Sequence, residues 1–147
     1  MNYLSSLAVA NWFLSKNPNS TVMRLQRFTY FSHCWCLALY DLPLTDEFAI
    51  AYPYGPVFPT IYKAALDYGS GPVEDYLSDD FISEEDPRIP LLLKIQEIYG
   101  NYTDNQLSRI ATENNSPWQV TIANHPGRKN PYINEETIKS FYRSRMQ

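Results

Sequence analysis

The sequence predicts a mainly α protein: a single compact domain spanning 1–147, with about six helices around a buried central helix and at most a short extended segment or hairpin near 46–54. Three observations carry that expectation. Apolar residues recur at helical spacing through most of the chain. The stretch from Thr21 to Tyr40 is apolar on nearly every side, as befits a helix enclosed by others. At 147 residues, the chain is long enough to bury a core and short enough to need only one.

Residues 3–15 form the first amphipathic segment, with Leu4, Leu7, Ala8 and Asn11 on one face and Leu14 extending it. Asn17-Pro18-Asn19-Ser20 breaks the chain, and Thr21 caps the central helix. Met23, Leu25, Phe28, Tyr30, Phe31, Trp35, Leu37 and Leu39 supply its apolar surround. Asp41-Leu42-Pro43-Leu44 ends it, and Phe48 to Tyr52 is a short apolar run readable as strand or loop. Gly55-Pro56 is a turn. Pro56 reads as a first-turn proline opening a third helix to about Tyr68, with Gly69 as its stop.

Residues 74–86 hold seven of the sixteen acids, interleaved with Tyr76, Leu77, Phe81 and Ile82. Ser83 or Asp86 then caps a fourth helix whose stripe is Leu91, Leu92, Ile95 and Ile98. Thr103 to Gln106 matches a capping box opening a fifth helix through Leu107 and Ile110. The segment 114–131 is polar and punctuated by prolines, hence mostly loop. Asn134 caps a last helix carrying Ile138, Phe141 and Tyr142.

Composition narrows the function. The net charge of −4 argues against a nucleic-acid partner, which needs clustered Lys and Arg. No apolar run approaches the ~20 residues of a membrane span, and the opening residues lack a signal peptide's basic start and cleavage site. The expectation is a cytoplasmic protein. Cys34 and Cys36 point about 200° apart on a helix, so they do not bridge and stay reduced. His33, Cys34 and Cys36 fan around one helix with only His125 elsewhere, short of the four ligands of a tetrahedral metal site. The same cysteines sit on the most apolar helix, where a thiol loses reactivity. No phosphate loop, dinucleotide fingerprint or nucleophile elbow occurs. The sequence therefore predicts no enzyme, no metal and no cofactor.

What remains is recognition. Tyr52, Tyr54, Phe58 and Tyr62 crowd around the Gly55-Pro56 turn, either as a packed corner or as a contact surface. Arg24 and Arg27 lie one turn apart at the start of the central helix, as ion-pairing groups at the acidic segment or helix ends, or as interface residues. Trp118, after Ser116-Pro117, reads as a plug closing the domain.

Taken in order, these motifs resemble the Panacea-domain antitoxins, the SocA- and GepA-like family. Val9 to Leu14 is similar to the family's opening helix, and Leu25-Gln26-Arg27-Phe28-Thr29-Tyr30-Phe31 to its "LQKLLYF" helix. Ala51 to Val57, followed by Pro59 and Tyr62, resembles its "AW-x-x-GPV-x-P-x-(L/I)-Y" signature, and Ser116-Pro117-Trp118 completes the order. The chain departs from the family with Tyr52 in place of Trp and with Ala111-Thr112 in place of Thr-His. The resemblance implies a cytoplasmic bacterial or phage protein, not an enzyme, that neutralises a cognate protein toxin by direct binding. Rival readings are an adaptor delivering a toxin to a protease, or a phage or mobile-element accessory protein binding a host factor. The expected partner surface combines Arg24, Arg27, Tyr52, Tyr54, Phe58 and Tyr62.

Overall fold

In the computed structural model, which describes residues 2–146, the chain runs through α1 (Ser6–Lys16), α2 (Val22–Tyr40), β1 (Ile50–Tyr52), β2 (Gly55–Val57) and α3 (Pro59–Ala64). A 3₁₀ turn (Leu66–Tyr68) follows, then α4 (Ile89–Tyr99), α5 (Asp104–Ala111), α6 (Pro117–Asn124) and α7 (Glu135–Ser144). The fold is mainly α, and its only sheet among the described residues is the β1–β2 hairpin.

Local capping chemistry starts several of these helices where the sequence expects it. The Thr21 hydroxyl accepts the Arg24 N–H at 3.1 Å and opens α2. Thr103 and Gln106 exchange both bonds of a capping box at α5, and Asn134 Oδ1 accepts from Glu136 and Thr137 at α7. Helix α2 runs through the core, flanked by α1, α4, α5 and α7. Aromatic pairs fix its neighbours. Phe28 stacks on Phe13 of α1 at 4.9 Å, Phe31 on Tyr99 of α4 at 4.3 Å, and Trp35 meets Tyr142 of α7 edge-on at 5.1 Å. The ends of α2 are less enclosed than its pattern suggests, since Met23 and Leu39 reach solvent.

Three boundaries differ from expectation. Pro56 does not open a helix; it lies in β2, opposite Ala51. Ala51 gives its N–H to Pro131, so the Ala51–Pro56 pair makes no rung and the missing proline N–H leaves no gap. The helix starts three residues later, with Pro59 in its first turn. Neither Ser83 nor Asp86 caps α4. Asp86 instead accepts the Arg88 backbone N–H and holds its guanidinium bidentately, both side-chain contacts at 2.8 Å. The segment 114–131 is not loop throughout: Ser116 caps α6, whose 8 residues interrupt it, and Pro117 occupies the first turn.

The acidic segment lies along α1, held by buried Asn11. Its amide donates to the Ser78 and Asp80 carbonyls and accepts the Leu77 N–H. The cysteines are packed among other groups. Burial drives the Cys34 thiol far up and pushes Cys36 up to about 11. His33 Nδ1 accepts the Leu44 N–H at 3.2 Å, while Nε2 faces Glu135 Oε2 at 3.3 Å. No helix among the described residues is long and apolar enough to cross a membrane.

Candidate protein-binding cleft

The Tyr52–Gly55 turn is positioned by side chains of α2 standing in for a third strand. Gln26 pairs with both backbone groups of Phe58, accepting its N–H at 2.9 Å and donating to its carbonyl at 3.1 Å. One residue on, Arg27 Nη1 donates to the Pro56 carbonyl at 2.7 Å and Nη2 to the Tyr54 carbonyl at 2.9 Å. Arg27 Nε reaches the Ser108 hydroxyl at 3.2 Å, tying in α5. Gly55 makes this approach feasible. Its φ is +138°, and a Cβ there would sit 2.5 Å from Arg27 Nη2. The glycine of the turn motif and the arginine of the central helix are thus two parts of one latch.

The opposite edge of the hairpin is also covered. Ala51 donates to the Pro131 carbonyl and Ile133 to the Ala49 carbonyl, each at 2.9 Å. Trp118 closes the turn from the α6 side, its indole N–H donating to the Tyr52 carbonyl at 2.6 Å. Both backbone edges are therefore occupied, and only the hairpin's side chains are left to face outward.

Those side chains wall a cleft of about 520 Å³ between the hairpin, α3 and the start of α2. Tyr52, Tyr54, Val57, Tyr62 and Met23 form its walls, with Gln26 and Arg27 also lining it. Tyr54 is 77% exposed, and Tyr62 packs edge-on to Tyr52 at 5.8 Å. The volume falls in the range of about 300–1,000 Å³ typical of small-ligand pockets, enough for one or two side chains of a partner. The first turns of α2 (Thr21, Val22, Met23) and α5 (Asp104, Asn105) meet at its rim.

Arg27 is almost fully buried, and its three hydrogen-bond acceptors are all neutral. Burial pushes its guanidinium down to about 10, opposed by nearby Tyr30, which leaves it a cation at neutral pH. Asp104, at the rim, is engaged by others. The Thr21 hydroxyl donates to it at 2.6 Å and Arg24 pairs with it at 3.2 Å.

Of the six residues the sequence nominates for partner contact, Tyr52, Tyr54, Tyr62 and Arg27 line this cleft. Phe58 does not belong to the surface. It is fully buried, because the Gln26 pairing turns it inward to meet His33 edge-on at 5.6 Å. Arg24 bonds the carbonyls of Gly100 and Tyr102 and stacks over Phe28, clamping the α4–α5 connection rather than the acidic segment. Arg27 likewise engages its own chain. Met23 and Val57 were not nominated, yet both form walls. The available signal was spacing: Met23, Gln26 and Arg27 stand at i, i+3 and i+4 on one face of α2.

Comparison with known proteins places the chain among relatives. Residues 25–119 match the model of a family described as antitoxin SocA-like, Panacea domain. That span contains the Gln26–Arg27 latch, the hairpin, α3 and Trp118. The chain is also 30% identical to Antitoxin SocA of Caulobacter vibrioides (strain NA1000 / CB15N), over 82% of this chain and 71% of that protein. No solved structure matches it. The chain belongs to the SocA-like antitoxin family and carries its Panacea domain.

Proposed function

We propose that this protein is the antitoxin of a toxin–antitoxin pair and neutralises a cognate protein toxin by direct binding, without catalysis, in the cytoplasm. The observation that carries this reading is the cleft itself: exposed Tyr54 and Tyr62, with Met23, stand on a frame locked by Arg27, Gln26 and Trp118. Tyrosine on a rigid support is a favoured interface group, since it offers a large contact area at low entropic cost. Family membership supports a toxin as the partner.

The test is co-expression with the product of the neighbouring open reading frame, scoring growth and co-purification. Direct binding predicts rescue together with a stable complex. Tyr54→Ala and Tyr62→Ala are each expected to weaken that complex by about 2 kcal/mol, roughly thirtyfold in Kd, with unfolding unchanged. Rescue without a complex would favour delivery of the toxin to a protease. An absence of toxicity would favour an accessory protein acting on a host factor.

A further inference from the structure

The cleft has a chemical preference that its aromatic walls alone do not impose. Arg27 places a buried cation at a cleft walled by tyrosine, methionine and valine, where uncharged polar groups and the single acid Asp104 also line the space, and all its own acceptors are neutral. A guanidinium carries five N–H groups, and three are used here. The nearby acid, Asp104, does not offset it, being paired with Arg24 and the Thr21 hydroxyl. The N-terminus of α2 adds to the same sign: it begins at the rim with no acid in its first turn and carries partial positive charge, whereas Asp104 answers the start of α5. An apolar side chain alone would leave that field unanswered, and a basic one would oppose it. The hairpin's edges are occupied by Arg27 and by residues 131–133, so an incoming segment engages through side chains rather than as an added strand.

We propose that the cleft receives a short segment of the partner protein in which an acidic side chain stands beside a large apolar one. The carboxylate faces Arg27 and the start of α2, and the apolar group packs on Met23, Tyr54 and Tyr62. The antitoxin reading supplies only the identity of that partner. The chemistry of the cleft stands apart from it.

The test uses the full-length ¹⁵N-labelled chain, titrated by NMR with acetyl-Phe-Glu-amide and, separately, with acetyl-Phe-Gln-amide. The expected result is that amide shifts move around Met23, Tyr54 and Tyr62, with the glutamate peptide binding about tenfold tighter and losing that advantage in high salt. Met23→Glu places an acid in the first turn of α2, where the helix tolerates it, and is expected to abolish the preference. Met23→Gln, of similar shape, is expected to retain it. Equal binding of the two peptides, shifts confined to other surfaces, or no binding would overturn the proposal. If the glutamate peptide is preferred but the neighbouring gene product is not bound, the antitoxin reading fails and this inference stands. If the toxin is bound while neither peptide reaches the cleft, the inference fails and the antitoxin reading stands.

Discussion

From Tyr30 to Ala38, α2 buries aromatic and thiol side chains against α4 and α7; from Met23 to Arg27, the same helix grips backbone carbonyls and an amide with a guanidinium and a carboxamide. Apolar contact in the second half is non-directional and scales with the area removed from water. Hydrogen bonds in the first half are directional, and they fix where a two-strand hairpin sits to within a few tenths of an ångström. A two-stranded hairpin on its own is marginal in water. The difference teaches that one helix provides stability at one end and shape at the other, and the shaped end is where the cleft lies.

Substitutions that break each half should therefore separate global from local effects. The largest effect is expected from Phe31→Ala, which removes a fully buried ring stacked on Tyr99 and should destabilise the whole fold by about 3–5 kcal/mol in urea denaturation. Arg27→Met comes next. It leaves the Tyr54 and Pro56 carbonyls without their donor and is expected to cost about 2–3 kcal/mol. Its signature is local: amide exchange should accelerate across residues 50–57 while α4 and α7 keep their protection. Uniform acceleration would erase the contrast between the halves. Gly55→Ala combines an unfavourable φ with a Cβ inside the guanidinium and should cost about 1–2 kcal/mol, with the same local pattern. Tyr54→Ala should leave thermal stability within about 0.5 kcal/mol while weakening toxin binding.

The same division governs what the sequence revealed. The α2, α5 and α7 starts were legible because Thr21, Thr103 and Asn134 satisfy helix N–H groups within three residues of themselves. The core stripe was legible from periodicity. Helix α6 was hidden because Ser116-Pro117 serves equally as a loop signal and as a cap followed by a first-turn proline, and no strong apolar stripe follows. The start of α3 was misplaced because the choice between Pro56 and Pro59 is made by pairing with Ile50–Tyr52, outside any local window. At the cleft, the tyrosines were legible as a cluster. Which of them face outward was not, since Phe58 is turned inward by Gln26, 32 residues away in sequence. The reading of Arg24 and Arg27 as groups bound to helix ends holds for Arg24. Arg27 has a strand as its partner, which no spacing rule anticipates.

The latch on β2 reads main-chain oxygens at Tyr54 and Pro56, not the side chain that Tyr54 presents. Trp118 does the same at Tyr52. The side chains at 52, 54 and 57 consequently lie outside the bonds that hold their own backbone in place. Such a surface behaves like a set of interchangeable bits in a fixed chuck: the side chains at these positions can be exchanged one by one while the frame that aims them is preserved, provided Gly55 and Arg27 are kept.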